Sequence, residues 1–203
     1  MDNKQNVSRE TIERLKIYQH LLETWQKKVN LVSASTLPFA WERHFKDSLQ
    51  LLPYLPQKKV SLIDLGSGAG FPGLVLAIAR PETLDVTLVE ADLKKCLFLE
   101  NVSRETFSPV TILRSRIESL ESTLKADVIT ARGLAPLTLL LGYAISLMKE
   151  EAACLFLKGK EFEKEIQEAQ KKWEFDLEIF PSLADSRGRI LKIKYLKRIH
   201  PYV

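Results

Sequence analysis

A glycine-rich segment carries the clearest chemical signal of the sequence: residues 64–73 read Asp-Leu-Gly-Ser-Gly-Ala-Gly-Phe-Pro-Gly. Gly66, Gly68 and Gly70 allow the backbone to turn sharply and to approach a ligand without the hindrance of a Cβ atom. Free N–H groups at the start of a following helix attract a negative group, by about 0.3–1 kcal/mol at an exposed site. Asp64 adds a carboxylate, which suits an ammonium-bearing ligand better than a pyrophosphate.

An acidic residue, Glu90, stands twenty positions after Gly70. In a strand–loop–helix–strand unit, an acid at this spacing accepts hydrogen bonds from both hydroxyl groups of an adenosine ribose. Hydrogen bonds to a charged group contribute about 1.5–3 kcal/mol each. The glycine loop and Glu90 together predict a pocket for an adenosine cofactor. Glu90 alone does not distinguish NAD from S-adenosylmethionine, because both contain such a ribose.

Short apolar runs alternate with helical patterns through the middle of the chain, and we interpret the runs as strands. The predicted strands are Val60–Leu65, Leu84–Val89, Val110–Leu113, Asp127–Ala131 and Ala152–Leu157. The predicted helices between and after them are Phe71–Arg80, Asp92–Thr106, Pro136–Met148 and Glu161–Trp173. This alternation predicts an α/β fold, in which a parallel sheet is covered by helices on both faces.

The N-terminal part of the chain follows a helical pattern instead. Apolar residues recur at spacings of three or four from Ile12 to Val29, which predicts a helix with Ser8 as its N-cap. A second helix is predicted from Pro38 to Leu52, before a linker. We therefore divide the chain into a helical extension, residues 1–56, and a larger unit, residues 57–203, which we expect to pack together.

The C-terminal part predicts an antiparallel hairpin of two strands, Phe175–Phe180 and Ile190–Leu196. In the second of these strands, alternation places Leu191, Ile193 and Tyr195 on one face and Lys192 and Lys194 on the other. The hairpin brings the sheet to seven strands, an ending that is typical of class I methyltransferases.

Three features favour S-adenosylmethionine over NAD as the cofactor. Asp64 precedes the loop, the terminal hairpin is present, and no second domain of the dehydrogenase kind is indicated. The expected fold is therefore the Rossmann-like α/β fold of class I S-adenosylmethionine-dependent methyltransferases, with a seven-stranded, mostly parallel sheet, a terminal antiparallel hairpin and an N-terminal helical extension.

The charge distribution indicates a polyanionic partner. The net charge is +4 and the pI is about 9.0. Residues 186–203 contain six Lys or Arg residues and no acid, and the first 60 residues contain ten Lys or Arg residues against six acids. Basic ends suit the phosphates of a nucleic acid, and the alternative is charge that merely keeps a surface solvated.

Other features limit the class of protein. No apolar stretch approaches the length of a membrane-spanning helix and the N-terminus lacks a secretory signal, so we expect a cytoplasmic protein. Cys96 and Cys154 lack the spacing of a zinc site, and no metal is predicted. His44 and Asp47, three positions apart on one helical face, are interpreted as a clasp that holds the N-terminal helices on the core. A metal pair and an RNA contact are the alternatives.

These motifs resemble those of the ribosomal RNA small-subunit methyltransferase G family, also called glucose-inhibited division protein B, over almost the whole chain. Besides the glycine loop, the similarity is carried by Asn-Leu-Val at 30–32, Arg-His-Phe-Lys-Asp-Ser-Leu at 43–49, Glu-Ala-Asp-Leu-Lys-Lys at 90–95, Ile-Thr-Ala-Arg-Gly-Leu-Ala-Pro-Leu at 129–137 and Leu-Lys-Gly at 157–159. Members methylate N7 of a guanine in small-subunit (16S) ribosomal RNA. The resemblance implies the same reaction here, with S-adenosylmethionine as the cofactor.

The resemblance and the spacing arguments together name the candidate site residues. By resemblance, the cofactor contacts are Gly66, Phe71, Ile117, Glu118 and Arg132; the spacing arguments add Asp64, Gly68, Gly70 and Glu90. Arg132 and Lys158 follow the fourth and fifth strands, and we assign them to positioning of the substrate, with structural ion pairs as the alternative. The candidate RNA contacts are Arg116, Lys94, Lys95, Arg187 and Arg189.

The predicted chemistry needs no general base. Guanine N7 carries a lone pair and no proton, so in-line methyl transfer depends on positioning and desolvation. The chain lacks the Asp/Asn-Pro-Pro-Tyr/Phe block of amino-group methyltransferases and the Pro-Cys nucleophile of pyrimidine C5 enzymes. Two alternatives stay open: another methyltransferase of the same fold, and a non-enzymatic regulator that binds adenosine or NAD. The expected partner is small-subunit ribosomal RNA or the small subunit, without a membrane, and we expect a monomer.

Overall fold

The N-terminal helix packs on the body of the protein in this computed structural model, which describes residues 7–121 and 123–199. This helix, α1, spans Arg9–Gln26, and the hydroxyl of its N-cap Ser8 accepts a hydrogen bond from the Thr11 amide at 3.1 Å. Its core-facing side chains, which have no exposed surface, are Leu15, Tyr18 and Leu22. The predicted N-terminal helix is therefore confirmed.

The helical stretch predicted from about Pro38 to Leu52 is present, but it is not one regular α-helix. The segment consists of a 3₁₀ turn (Leu37–Phe39), a π-helix (Trp41–Lys46), a short α-helix, α2 (Asp47–Leu49), and a second 3₁₀ turn (Leu52–Tyr54). The rings of the consecutive residues His44 and Phe45 lie 5.0 and 5.2 Å from the ring of Phe71. Consecutive side chains are about 100° apart on a regular α-helix, so the wider π turn helps both rings to reach Phe71.

Seven strands form one sheet. They are β1 (Val60–Leu65), β2 (Leu84–Glu90), β3 (Thr111–Arg114), β4 (Ala126–Arg132), β5 (Met148–Lys158), β6 (Trp173–Pro181) and β7 (Arg189–Arg198). Their order is β3-β2-β1-β4-β5-β7-β6; the first five strands of the chain pair in parallel, and β7 runs antiparallel to β5 and β6. The predicted sheet and its terminal hairpin are confirmed. From β1 the chain adds β2 and β3 on one side, and it then returns to add β4 on the other side of β1. Open α/β sheets bind ligands at such a switch in strand order.

Helices cover both faces of the sheet. They are α3 (Gly73–Ala79), α4 (Leu93–Glu105), α5 (Leu137–Ile145) and α6 (Phe162–Gln170). One apolar cluster joins α1, α3 and α4 to the face on which Leu62 lies, and a second joins α5 and α6 to the face on which Ile63 lies. Neighbouring residues of β1 thus enter opposite layers, as a parallel strand that is covered on both sides requires.

Tyr195 departs from the alternation that was predicted for β7. Ile193 is fully buried, whereas Tyr195 is 55% exposed and has a φ of +51°. Between the pairs Glu174–Lys197 and Asp176–Lys194, β6 advances by two residues and β7 by three. Such an extra residue is a β-bulge, and it turns Tyr195 out of the buried face. This part of the prediction is wrong.

Residues 1–6 and 200–203, including His200, lie outside the described residues, so the predictions for those parts of the basic ends are not addressed. None of the helices within 7–121 and 123–199 combines the length and apolar character that crossing a membrane requires. The division of the chain at residue 56 stays a prediction.

Candidate active site

The glycine loop connects β1 to α3 through backbone turns that glycine adopts most readily. Gly66, Gly68 and Gly70 have φ angles of +62°, +58° and +90°. Side chains are strained in this left-handed region. At Gly70 a Cβ atom would also collide with the hydroxyl of Tyr18 and lie 2.9 Å from Cδ2 of Leu99. The loop therefore depends on glycine both for its turns and for its packing on α1.

Glu90, at the end of β2, holds this loop through its carboxylate. The Gly68 amide donates to Oε2 at 2.9 Å, and the Asp92 amide donates to Oε1 at 2.8 Å. An ionised carboxylate offers about four acceptor positions, so about two remain for the hydroxyl groups of a ligand. Glu90 thus fixes the glycine loop, in addition to its predicted role as the acceptor for the ribose hydroxyls of an adenosine cofactor.

The glycine-loop pocket is a cavity of about 400 Å³ between the glycine loop, the end of β2, the turn after β3 and the segment after β4. It brings together seven predicted residues: Gly66, Gly68, Glu90, Lys95, Arg116, Ile117 and Glu118. The hydroxyl of Tyr143 on α5 donates to Oε1 of Glu118 at 2.5 Å, and this bond lowers the pKa of Glu118. Cavities of roughly 300–1,000 Å³ are typical of small-molecule sites.

Four predicted cofactor contacts, Asp64, Gly70, Phe71 and Arg132, are not among the residues that line this pocket. The Asp64 carboxylate is fully buried; Oδ1 accepts from the Thr130 hydroxyl at 2.7 Å and Oδ2 from the Gly73 amide at 3.1 Å. Burial raises the pKa of Asp64 to about 6. Asp64 therefore ties β1 to β4 and to the start of α3, and its direct contact with an ammonium group stays a prediction.

Phe71 lies in an aromatic stack that links the glycine loop to the N-terminal extension. Its ring stacks on Tyr18 and His44, at centroid distances of 5.4 and 5.0 Å. The Tyr18 hydroxyl donates to the carbonyl of Ala69 within the loop. The guanidinium carbon of Arg132 lies 4.9 Å from the centre of the Phe71 ring, at cation–π distance. The stack thus connects the loop to Arg132 at the end of β4.

A second cavity, the arginine pocket, has a volume of about 360 Å³ and shares Gly133 with the glycine-loop pocket. Its ionisable lining residues are Arg43, His44, Asp47, Arg132, Lys158, Glu165, Asp185 and Arg189. Three predicted substrate residues, Arg132, Lys158 and Arg189, therefore meet in one cavity next to the glycine-loop pocket.

Arg132 ends β4 and forms a largely buried ion pair. Its Nη1 donates to the Arg43 carbonyl at 3.1 Å and to Oδ2 of Asp47 at 3.3 Å. Burial raises the pKa of Asp47, and the charge of Arg132 acts in the opposite direction. Arg132 lines the arginine pocket and not the glycine-loop pocket, so its contact with a cofactor stays a prediction.

Asp47 also joins the N-terminal extension to the turn between β6 and β7. Its Oδ1 accepts hydrogen bonds from Gln50 at 2.6 Å and from the Ser182 hydroxyl at 3.3 Å. Nearby, Arg43 pairs with Asp185 of the same turn at 3.1 Å. These contacts hold the extension on the core, which is the role predicted for Asp47. Across the two described ranges, no group of three His, Cys, Asp or Glu side chains is arranged to hold a metal ion.

The hydrogen bonds around His44 determine its tautomer. The Thr36 hydroxyl donates its single proton to the Ser33 carbonyl at 2.9 Å, so it accepts from Nε2 of His44 at 3.0 Å. Burial lowers the pKa of His44 to about 3, helped by the nearby charge of Arg132. His44 is therefore neutral with its proton on Nε2, and its buried Nδ1 is a lone-pair acceptor without a partner in the described part of the chain.

Lys158 ends β5, and its side chain is only 8% exposed. Nζ donates to the Ala135 carbonyl at 2.8 Å and pairs with Oε2 of Glu165 at 2.6 Å. These partners engage two of its three N–H donors. The geometry is that of the structural ion pair that was the alternative interpretation, and a direct contact with substrate stays a prediction.

The other candidate RNA contacts lie nearer the surface. Lys94 and Arg187 are exposed, and Arg187 lies 3.8 Å from Asp185. The guanidinium of Arg189 donates to the Gly188 carbonyl at 2.7 Å and lies over the ring of Phe162. Arg189 is thus fixed in the wall of the arginine pocket, whereas Lys94 and Arg187 face solvent.

Several residues that line the cavities were missed in the sequence: Thr36, Gly133, Leu134, Tyr143 and Glu165. Gly133 and Leu134 come two and three residues after the end of a predicted strand, at the ligand-binding edge of the sheet, and that position could have identified them. Tyr143 and Glu165 lie inside helices, and only their tertiary position identifies them.

The comparisons with known proteins agree with this geometry. A family model described as "rRNA small subunit methyltransferase G" matches residues 11–190. The chain belongs to this family. A ribosomal RNA small subunit methyltransferase G from Paramagnetospirillum magneticum is 48% identical over 195 residues, which are 96% of this chain and 94% of that protein. The predicted family and the predicted methyltransferase class are confirmed.

Solved structures support the fold independently. A ribosomal protein L11 methylase from Lactobacillus delbrueckii subsp. bulgaricus superposes with a TM-score of 0.59 at 16% identity, over 76% of this chain and 77% of that chain. A SAM-dependent methyltransferase from Aquifex aeolicus gives a TM-score of 0.58 at 15% identity, over 77% of this chain and 92% of that chain. The predicted fold of S-adenosylmethionine-dependent methyltransferases is confirmed.

Proposed function

We propose that the protein transfers the methyl group of S-adenosylmethionine to N7 of a guanine in 16S ribosomal RNA. The observation that carries this proposal is the adjacency of two cavities that share Gly133 at the carboxyl edge of the sheet. The glycine-loop pocket takes the methyl donor. The arginine pocket takes the target guanine and the adjoining phosphates. Membership of the methyltransferase G family supports the choice of RNA substrate.

The residues of the glycine-loop pocket fit the donor. Glu90 retains acceptor positions for the ribose hydroxyls, and Ile117 and Leu134 supply apolar surface for a base. The left-handed turns at Gly66 and Gly68 keep side chains away from this wall. When bound, S-adenosylmethionine supplies a methyl group that is activated by its positive sulfur.

The residues of the arginine pocket fit a reaction without a proton acceptor. His44 is neutral because burial lowers its pKa to about 3, and its Nδ1 is buried. The Asp47 carboxylate is occupied by Arg132 and by the residues around it. Because N7 has no proton to lose, the task of these side chains is to orient the base and to exclude water.

The charges of the arginine pocket suit both the RNA and the product. Arg43, Arg132 and Arg189 are cations that can face phosphate oxygens. Methylation at N7 leaves a positive charge on the base, and the Asp185 carboxylate in the same cavity reduces the cost of that charge. RNA affinity should fall with salt, by a log–log slope of about −0.7 for each phosphate neutralised on a single strand.

The test is methyl transfer from labelled S-adenosylmethionine to defined RNA. The purified protein is incubated with naked 16S ribosomal RNA, with small ribosomal subunits and, as a control, with large-subunit RNA. We expect label in one or both small-subunit substrates only, and chain cleavage specific for 7-methylguanosine should map it to one position. Absence of label in both, or label on a small-molecule acceptor alone, would contradict the proposal.

The same proposal includes a cytoplasmic location and action as a monomer. Sedimentation equilibrium at micromolar concentration tests the second point, and a mass near 23.2 kDa is the expected result. A mass twice as large would contradict the proposed monomer, but it would not contradict the proposed reaction.

A further inference from the structure

A short stretch of chain, residues 133–137, separates the two cavities and is here called the partition segment. Gly133 lines both cavities, whereas Leu134 and Ala135 line the glycine-loop pocket alone. Leu134 also packs against the glycine loop, because its Cδ1 lies 2.6 Å from the position that a Cβ atom would take on Gly66. Movement of the partition segment would therefore change the width of the glycine-loop pocket.

An ion pair from two other elements holds this segment by its backbone. Nζ of Lys158, at the end of β5, donates to the Ala135 carbonyl at 2.8 Å. Oε2 of Glu165, on α6, accepts from the Leu137 amide at 2.7 Å and from Nζ of Lys158 at 2.6 Å. Each member of the pair thus binds one backbone group of the partition segment as well as its partner.

The setting of the pair distinguishes it from ordinary surface ion pairs. The side chains of Lys158 and Glu165 are 8% and 23% exposed. A second pair joins Glu168 of α6 to Lys171, which directly follows the helix; its separation of 2.7 Å is similar, but Lys171 and Glu168 are 65% and 55% exposed. Exposed pairs contribute little, whereas a desolvated pair that is hydrogen-bonded to backbone loses several contacts when one partner is removed.

We propose that the Lys158–Glu165 pair is a positioning element for the methyl donor, which acts through the partition segment on the glycine-loop pocket. The proposal rests on the proposed function for the identity of the donor. Under this proposal Lys158 affects the binding of the methyl donor, although its side chain lines the arginine pocket. Binding of RNA does not require the pair, because the ammonium group is already engaged by two partners.

The experiment measures the two affinities separately in the full chain. Calorimetry gives the Kd for S-adenosylmethionine, and filter binding gives the Kd for 16S ribosomal RNA. The variants are Lys158→Met, Glu165→Gln and the conservative Lys158→Arg, and the matched control is Glu168→Gln. Thermal unfolding identifies any variant that does not fold. If Lys158→Met does not fold, the test rests on Glu165→Gln, which keeps an acceptor for the Leu137 amide.

We expect donor affinity to fall by about 2- to 30-fold in Lys158→Met and Glu165→Gln, the range that residues acting at a distance commonly show. Lys158→Arg should recover part of the loss, and Glu168→Gln should bind the donor as the wild type does. RNA affinity and its salt slope should stay unchanged in every variant. In steady-state assays the KM for the donor should rise more than kcat falls.

Three outcomes would overturn the inference. RNA affinity that falls while donor affinity is unchanged would make Lys158 a substrate contact. No change in either affinity would leave the pair without a positioning role. An equal loss of both affinities, matched by Glu168→Gln, would indicate general destabilisation. If instead the wild-type chain binds no donor, the proposed function itself fails, and that result is distinct from the other three.

Discussion

The substitution Glu90→Gln tests the glycine-loop pocket at its most constrained point. The glutamate accepts hydrogen bonds from two backbone amides, those of Gly68 and Asp92, one at each carboxylate oxygen. Glutamine has the same shape but replaces one oxygen by an NH₂ group, which is a donor. In either orientation of the amide, one backbone N–H therefore faces another donor and loses its acceptor.

The expected effects follow from these two hydrogen bonds. Leaving one largely buried donor unsatisfied costs about 1–3 kcal/mol. For a chain of this size each kcal/mol shifts Tm by roughly 2–4 °C, so the variant should melt about 2–12 °C lower. Loss of the charged acceptor for the ribose hydroxyls removes about 1.5–3 kcal/mol, which corresponds to a donor Kd about 10- to 150-fold weaker.

Differential scanning calorimetry measures the first effect and isothermal titration with S-adenosylmethionine the second. The matched control is Glu100→Gln, the same change at an exposed position of α4. A Glu90→Gln variant that binds the donor with wild-type affinity would refute the assignment of Glu90. An equal loss in Glu100→Gln would show that the effect is one of net charge and not of position.

Three further predictions concern the contacts behind the two cavities. Because burial raises the pKa of Asp64 to about 6 from an ordinary 3.8, the folded state binds this proton more tightly than the unfolded chain. Asp64 should therefore stabilise the fold below pH 4 and lose about 3 kcal/mol of that contribution as pH rises through 6, and urea unfolding of Asp64→Asn should lack this difference. Tyr18→Phe leaves the Ala69 carbonyl without its donor and should cost about 1–3 kcal/mol, with faster amide hydrogen exchange in the glycine loop but not in α6. Arg132→Met should destabilise by about 3–5 kcal/mol because it leaves the buried Asp47 charge unpaired, and adding Asp47→Asn should recover part of the loss in a double-mutant cycle.

The sheet could be predicted from the sequence because its strands are short apolar runs that end at turns. For β1 the predicted and observed bounds, Val60–Leu65, are identical. The glycine loop and Glu90 were equally readable, since their spacing along the chain reflects the fixed geometry of a strand–loop–helix–strand unit. The π-helix at Trp41–Lys46 was not, because its wide turn depends on rings that come together only in the folded protein.

The burial and the ion pairing of the site side chains could not be predicted from the sequence either. Asp64 has the position of a ligand contact, but its partner Thr130 lies 66 residues further along the chain. Lys158 has the position of a substrate contact, and its pairing with Glu165 depends on the face that α6 turns towards β5. The type and spacing of residues thus predict which loops form the site, while tertiary packing decides which of their side chains are free to meet a ligand.

The most direct test of the account is a calorimetric titration of the unmodified protein with S-adenosylmethionine, in parallel with the same titration with NAD. Membership of the methyltransferase G family, together with the glycine-loop pocket, predicts one binding site per chain for S-adenosylmethionine and no measurable heat from NAD. Saturable binding of NAD, with none of S-adenosylmethionine, would contradict the assignment of this pocket and the methyl-transfer mechanism built on it.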